Sequence, residues 1–187
     1  MTGLIDHLEA HLGQIGQGYR GDAFTPEGVT IARFGPDSPW TGASTLATVG
    51  LSRHHLARSG SRGLHQELLM HFTAAKEPSN AAGILFQVAA ELIDRGHGLR
   101  RGEVVGPRES LFRRGKTTAL YAAVPVYLPD SFAVCREANR TIVLTWLVPI
   151  TTDEAEVVGK QGWRAFEDAL VARDPDLTDI ERDSIFL

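Results

Sequence analysis

Cysteine, aromatic residues and long apolar runs are all scarce in this sequence. Its single cysteine, Cys135, cannot form a disulfide within the chain, so neither a disulfide-stapled fold nor an oxidising compartment is indicated. No apolar run approaches the ~20 residues that a membrane-spanning helix needs. The first residues also have neither the basic start nor the apolar run of a signal peptide. We therefore expect a cytoplasmic protein that does not bind a membrane.

Motifs for phosphate, metal or nucleophile chemistry are missing as well. Residues 115–117 read Gly-Lys-Thr, like the end of a phosphate-binding loop, but Ser110 stands where the first glycine of that loop belongs. Residues 60–63 lack the G-x-S-x-G pattern of a nucleophile elbow. The histidines at positions 54, 55, 65 and 71 match no metal-binding spacing. The sequence thus predicts no cofactor and no metal site.

The length and the order of the elements indicate one mixed α and β domain spanning residues 1–187. A chain of 187 residues buries about 70% of its unfolded surface without disulfides or metals. Strand-like and helical segments follow one another with no internal repeat and no low-complexity linker. Nothing in this pattern by itself reveals a chemistry.

The clearest structural signal is a strand followed directly by a helix near the C-terminus. Apolar side chains on both faces of residues 141–150 predict a strand inside the sheet, with a neighbour on each side. Thr151 and Glu154 have the spacing of a capping box, which predicts that a helix begins there. We expect this helix to press Gly159 and Gly162 against the sheet, because two interior glycines are costly unless the backbones approach closely. Its larger apolar residues should also be buried, namely Trp163, Phe166 and Leu170.

Other elements are visible from periodicity and caps. A first helix carries an apolar stripe that runs as far as Ile15. Residues 44–52 and 64–72 predict two neighbouring antiparallel strands. Ser79 is a candidate cap for a second helix, and Gly96 closes it.

Charge is unevenly distributed along a chain whose net charge is only −4. Residues 100–117 carry six cations against two acids, a local balance of +4, and residues 153–183 carry ten acids against four cations, a local balance of −6. Two solvated surfaces of opposite sign account for this pattern. Electrostatic recognition of a protein partner is the sharper alternative. Under that alternative the candidate partner-binding cations are Arg100, Arg101, Arg108, Arg113, Arg114 and Lys116.

Trp40 is the remaining candidate partner-binding residue. It lies in a loop that Gly and Pro punctuate repeatedly. A tryptophan in such a loop is either a lid over the edge of the core or an exposed anchor for a partner. The sequence leaves both interpretations open.

Three blocks of this sequence together resemble the suppressor of fused family. They are TVGLS at residues 48–52, ELLM at residues 67–70, and the series VPIT, E, G, W, F and L between residues 148 and 170. The last block is followed by Asp179, Arg182 and Ser184. Order and spacing agree from about residue 45 to the end, and the last block is the most specific.

The resemblance implies both a fold and a function. It implies a single α+β domain with a central, largely antiparallel mixed sheet and helices packed against it. The founding animal member is a non-enzymatic repressor that holds a transcription factor, and bacterial relatives look like immunity proteins that neutralise toxins of polymorphic secretion systems. From its length we expect this chain to hold one such domain, without the second domain of the animal protein. The implied function is therefore that of a bacterial protein-binding domain, whose partner is either a toxin encoded nearby or another protein.

Two other function classes compete with protein binding. A small hydrolase-like enzyme would use Glu67 with a nearby histidine as acid and base. The available histidines are His54, His55, His65 and His71. Nucleic-acid binding through residues 100–117 is disfavoured by the acidic net charge.

Overall fold

The computed structural model describes residues 3–58 and 61–186, and within these residues nine strands form one sheet. The strands are β1 (Ile15–Arg20), β2 (Thr30–Phe34), β3 (Ala43–Val49), β4 (Leu56–Arg58), β5 (Ser61–Thr73), β6 (Val104–Val105), β7 (Ala119–Ala123), β8 (Val134–Arg136) and β9 (Thr141–Ile150). The helices are α1 (Leu4–Leu12), α2 (Ala81–Arg95), α3 (Thr152–Gln161) and α4 (Trp163–Arg173). The strand order is β1-β2-β3-β5-β9-β7-β6, with β4 added beside β5 and β8 beside β9. Every pairing is antiparallel except that of β5 with β9, so the predicted α+β fold with a largely antiparallel mixed sheet is confirmed.

Strand β9 lies at the centre of the sheet, as its sequence predicts. Its residues 142–146 pair with β5 on one side. On the other side, residues 141–143 pair with β8 and residues 146–150 pair with β7. The even-numbered side chains of β9, Trp146 among them, are buried on one face, and Leu147 is buried on the other. A strand with neighbours on both sides and a core on both faces is apolar along its length. This is why the sequence predicts its position inside the sheet.

Helices cover both faces of the sheet. Helix α2 packs on the face that carries Leu46, Leu68 and Leu147. Helices α1, α3 and α4 pack on the opposite face, where Trp146 and Phe166 are completely buried. The protein therefore has three layers and two apolar cores that share one sheet.

Helix α2 forms where the periodic pattern predicts it. Gly96 closes it in the left-handed conformation, with φ of 66°, which glycine adopts at little cost. The residue at the N-cap position is Asn80 rather than Ser79, and its side chain makes no capping hydrogen bond. The predicted cap was thus one residue away from the observed helix start.

The predicted C-terminal helix is in fact two helices. The capping box is confirmed, because the Thr151 hydroxyl accepts from the Glu154 amide and the Glu154 carboxylate accepts from the Thr151 amide. Gly162, with φ of 87°, separates α3 from α4. The prediction that Gly159 and Gly162 face the sheet is wrong, since both are exposed and a methyl group at either would meet no atom within 4 Å. The glycines serve a turn and an open helix face instead of a close approach of backbones.

Burial of the larger residues of this segment is graded. Phe166 is completely buried against Tyr121, with ring centroids 5.0 Å apart. Trp163 and Leu170 are partly buried. The prediction of substantial burial thus holds fully for Phe166 and in part for the other two.

The first helix is shorter than its apolar stripe predicts. It ends at Leu12, and Ile15 begins the edge strand β1, which was not predicted. Gly13, with φ of 77°, makes the turn between them. In the part of the chain that the structure describes, no helix combines the length and the apolar character needed to cross a membrane.

Candidate functional site

Glu67 on β5 is the acid of the enzyme alternative, and it is completely buried. Its carboxylate accepts from the Thr48 hydroxyl at 2.6 Å and from the amides of Gly50 and Ser52 at 2.9 and 3.0 Å. Burial raises the pKa of Glu67, and the hydrogen bonds from Thr48 and Ser52 oppose that rise. With these three donors in place and no exposure, the carboxylate holds the turn after β3 and has no face to offer a substrate.

The four candidate histidines do not complete an acid–base pair with Glu67. His71 lies four residues further along β5, roughly 13 Å away at the rise of a strand. The His65 ring bonds the carbonyl of Ser52 at 2.8 Å, and the His54 ring bonds the carbonyl of Glu27 at 3.1 Å. The His55 ring lies over Gly63. General acid–base catalysis requires hydrogen-bond reach to a shared substrate, and these residues do not provide it.

His71 belongs to a buried aromatic cluster. It is completely buried, and its Nδ1 hydrogen-bonds the Thr45 hydroxyl at 2.7 Å. Its ring lies 5.3 Å from that of Trp146 and 5.5 Å from that of Trp40. Burial lowers the pKa of His71 to about 3. The imidazole is therefore neutral at physiological pH and acts as a packing residue.

Trp40 closes the outer end of that cluster. Its indole lies 5.5 Å from the ring of Tyr127 in an edge-on arrangement, and Tyr127 in turn lies 4.9 Å from Trp146. Trp40 is partly buried. Trp40 is thus a lid over the edge of the core. Part of its side chain is exposed, and its predicted role in partner binding stays a prediction.

Arg101 occupies a structured site beside α4. Its Nε donates to the Glu167 carboxylate at 3.0 Å, a second guanidinium nitrogen also contacts that carboxylate, and the Tyr121 hydroxyl donates to it at 2.8 Å. The guanidinium lies 4.7 Å from the ring centroid of Trp163. The hydrogen bond that Arg101 donates to Glu167 raises the pKa of Arg101. Arg101 therefore has a structural role within the chain, while the partner-binding role predicted for it stays a prediction.

The other cations of residues 100–117 lie against different elements. Arg108 pairs with Glu91 of α2, and Lys116 pairs with Asp183. Arg100 is exposed. The segment therefore does not form one continuous basic strip.

Arg113 and Arg114 are the cations of this segment most available to a partner. Both are exposed, and neither forms an ion pair within residues 3–58 and 61–186. They line a cavity of about 510 Å³ together with Lys76 and Glu181. The partner-binding role predicted for the six cations is left as a prediction, and its best-placed members are these two arginines.

A groove between α4 and the ends of β7 and β9 is the most distinctive surface feature. We call it the α4 groove and define it by Val124, Val126, Tyr127, Trp146, Leu170 and Val171. Its volume is about 260 Å³. Val126 is 65% exposed and Val171 is 82% exposed, and Val124 and Tyr127 are exposed as well. Of the seven large hydrophobic side chains that are exposed in the described chain, these four line this one groove.

None of these four exposed groove residues was predicted from the sequence. The signal for Val124, Val126 and Tyr127 is that Pro125 follows Val124 and that Pro125 and Pro129 flank the other two, because proline lacks the N–H that would extend β7. Apolar residues just beyond the end of a strand lose their place in the sheet and remain at the surface. The signal for Val171 is that it lies five residues after Phe166 on α4, roughly 140° around the helix from the buried face.

Comparisons with known proteins agree with this architecture. A profile of the family described as Suppressor of fused protein (SUFU) matches residues 25–183. No curated protein sequence matches the chain.

Several solved structures share the fold. A SUFU (suppressor of fused protein) homolog from Neisseria gonorrhoeae FA 1090 has a TM-score of 0.74 at 16% identity, over 96% of this chain and 92% of that chain. A chain in the crystal structure of the Sufu-Fu complex has a TM-score of 0.73 at 17% identity, over 98% and 91%. Drosophila Suppressor of Fused has a TM-score of 0.61 at 18% identity, over 84% of this chain but only 43% of its own length. At these identities the likeness concerns the fold.

Proposed function

The chain belongs to the suppressor of fused protein (SUFU) family, and we propose that it acts by binding another protein and not by turnover. One of the similar folds was crystallised as the Sufu-Fu complex. The complex was observed for that protein and not for this chain. It supports the proposal because it shows a similar fold bound in a complex.

The observation that carries the proposal is the α4 groove. Exposed apolar side chains scattered singly are normal on a protein surface, whereas several gathered in one place mark an interaction site. Val126 and Val171 contribute little to the core at their exposures of 65% and 82%. Removing such side chains from water is worth about 25 cal/mol for each Å². A partner that covers the groove gains this free energy, which folding leaves unused.

A protein-binding function is also consistent with the positions of the residues that the enzyme alternative would use. Glu67 is enclosed by its hydrogen-bond donors, His54 and His65 bond to backbone carbonyls, and His71 packs in the aromatic cluster. No observation on these residues favours catalysis.

The specific form of the proposal is a bacterial, cytoplasmic immunity protein that neutralises a toxin encoded nearby. The resemblance of the sequence blocks to bacterial single-domain relatives supports it, as does a similar fold in Neisseria gonorrhoeae FA 1090. Arg113 and Arg114 add exposed positive charge that favours capture of an acidic partner surface through electrostatic steering.

Co-expression tests this proposal. The products of the genes flanking this one are expressed in a bacterial host, each alone and each together with the full chain. We expect one of them to arrest growth alone, to lose its toxicity when the chain is present, and to co-elute with it in size-exclusion chromatography. If none of the flanking products forms a complex with the folded chain, the toxin proposal is wrong. Binding without toxicity would retain protein binding and overturn the immunity role.

A further inference from the structure

We propose that the α4 groove binds an extended segment of a partner protein in which an apolar side chain is followed two residues later by a lysine or an arginine. This inference rests on the proposed protein-binding function and specifies the chemistry of the partner. It is carried by the division of the groove into an apolar part and an acidic, aromatic end.

The apolar part fits one side chain, or two small ones. Ala123, Val148 and Trp146 line it, and Val126 and Val171 stand exposed at its edge. The whole groove has a volume of about 260 Å³, which is below the roughly 300–1,000 Å³ of pockets for small-molecule ligands. An aliphatic anchor presented by a peptide or a loop is the occupant of that size.

The end of the groove near Tyr127 is acidic. Asp174 ends α4 with φ of 44°, is exposed, and lines the groove. Asp176 lies beside it, where its carboxylate accepts from the amide and the hydroxyl of Thr178 at 2.9 and 2.6 Å. Tyr127, Asp174 and Asp176 line one cavity. Burial raises the pKa of Tyr127, the charges of Asp176 and Asp174 add to the rise, and the charge of Arg182 opposes it. The C-terminus of α4 adds the negative end of a helix dipole.

Two cations near this end of the groove are paired with carboxylates, and the third, Arg173 in the last turn of α4, is outnumbered by Asp174 and Asp176. Arg101 lines the groove but is bonded to Glu167. Arg182 is bonded to both carboxylate oxygens of Glu154. Asp174 and Asp176 therefore give the end a net negative charge, which selects a basic side chain and repels the phosphates of a nucleic acid.

The aromatic rings point to the same conclusion independently of the carboxylates. Trp40 and Tyr127 line a second cavity, of about 590 Å³, that shares Tyr127, Asp174 and Pro175 with the α4 groove. The two rings meet edge-on, and Tyr127 is 42% exposed. Indole and phenol faces attract ammonium and guanidinium groups. Successive side chains of an extended segment point to opposite sides, so an apolar anchor in the groove places the side chain two residues further on within reach of both rings and both carboxylates.

Short synthetic peptides test the proposal on the full chain without knowledge of the natural partner. Three acetylated and amidated peptides of equal length differ only at two central positions that one alanine separates, and these hold Ile and Arg, Ile and Glu, or Ser and Arg (the Ile-Arg, Ile-Glu and Ser-Arg peptides). Each is titrated into the ¹⁵N-labelled protein, and the signals of the Trp40 indole and of residues 124–127 and 170–176 are followed. We expect the Ile-Arg peptide to bind at least about threefold more tightly than either of the others, with an advantage over Ile-Glu that falls as salt is added.

Two matched pairs of variants localise the effect. Asp174→Asn keeps a residue that tolerates a positive φ and should remove most of the preference for Ile-Arg over Ile-Glu, whereas Asp168→Asn, on an exposed part of α4 outside the groove, should not. Val171→Ser should weaken binding of the Ile-Arg peptide about threefold, whereas Phe24→Ser, at a residue that is 95% exposed elsewhere, should not.

The results separate this inference from the proposed function. Equal shifts with all three peptides, or shifts confined to residues outside the groove, would overturn the inference. If that happens while a flanking gene product still binds the chain, protein binding stands and only the chemistry assigned to the partner is wrong. If the Ile-Arg peptide binds as expected and no flanking product does, the groove chemistry stands and the toxin assignment fails.

Discussion

Arg182 donates from Nη1 and Nη2 to the two carboxylate oxygens of Glu154, at 2.5 and 2.7 Å, inside the protein. The Glu154 side chain is completely buried, and that of Arg182 is 7% exposed. The same carboxylate accepts from the amides of Thr151 and Ile185. One residue of α3 thus joins the end of β9, its own helix cap and the C-terminal segment.

This arrangement predicts a large loss of stability when the pair is broken. Arg182→Met leaves the Glu154 carboxylate buried without a counter-charge, which should lower the free energy of unfolding by about 3–5 kcal/mol. Urea denaturation measures it. Replacing both residues by Met should cost less than Arg182→Met alone, because no isolated charge remains. Lys160→Ala, which breaks an exposed pair with Glu156, is the control and should leave stability unchanged.

The buried histidine predicts a pH dependence of stability. The folded-state pKa of His71, about 3, is below its unfolded value of about 6.5. The unfolded chain therefore binds the extra proton between these pH values, and stability falls by about 1.4 kcal/mol for each pH unit below 6.5. Nε2 of His71 has no hydrogen-bond partner among the described residues, so a proton there would be buried without an acceptor.

His71→Gln tests this origin. The slope of unfolding free energy against pH between 5 and 6.5 should become flatter in this variant than in the wild type. His54→Gln, a change at a histidine bonded to a surface carbonyl, should keep the wild-type slope. An unaltered slope in His71→Gln would assign the pH dependence to other groups.

The two glycines of the α3–α4 segment predict opposite effects of the same substitution. Gly159 lies inside α3 facing open space, so Gly159→Ala should stabilise the protein by about 0.5–1 kcal/mol. Gly162 has φ of 87°, so Gly162→Ala should destabilise it by about 1 kcal/mol through backbone strain alone. Thermal unfolding of both variants decides the matter. Destabilisation by Gly159→Ala would mean that α3 lies closer to the sheet than it does here.

The exposed arginines predict an effect on association rate. Reversing Arg113 and Arg114 to Glu should slow association with the flanking gene product about tenfold in low salt and weaken its salt dependence, with the fold intact. Stopped-flow mixing measures the rate. Reversing Arg20 and Arg136, which are exposed outside this segment, makes the same change in net charge and should have a smaller effect. Equal slowing in both variants would show that only net charge matters.

The sequence predicts those parts of the fold in which the local pattern of residues favours the same structure that the tertiary contacts stabilise. Residues 141–150 are apolar on both faces because they are buried on both faces, and α2 carries a continuous apolar stripe. The capping box joins Thr151 and Glu154, only three positions apart, and it formed as predicted. Such signals depend little on what lies far away in the chain.

The remaining features depend on contacts between distant residues. Ile15 fits a helical stripe, but Gly13 breaks the helix and pairing with β2 captures the segment as β1. Gly162 likewise divides a helix that the apolar period alone continues. Glu167 and Arg101 are 66 residues apart, so their pairing has no sequence signal. The α4 groove is assembled in the same way, from residues beyond β7 and on α4, and only the fold brings them together.

The central claim, that the chain binds a protein partner through the α4 groove, is tested most directly by calorimetric titration with the flanking gene product. The wild type is compared with Val126→Asp, Val171→Asp and Phe24→Asp, each confirmed as folded by circular dichroism. We expect each of the two groove variants to bind at least about tenfold more weakly than the wild type. Phe24→Asp places the same charge at an exposed apolar residue elsewhere and should bind within about twofold of the wild type. Wild-type affinity in both groove variants would contradict the account.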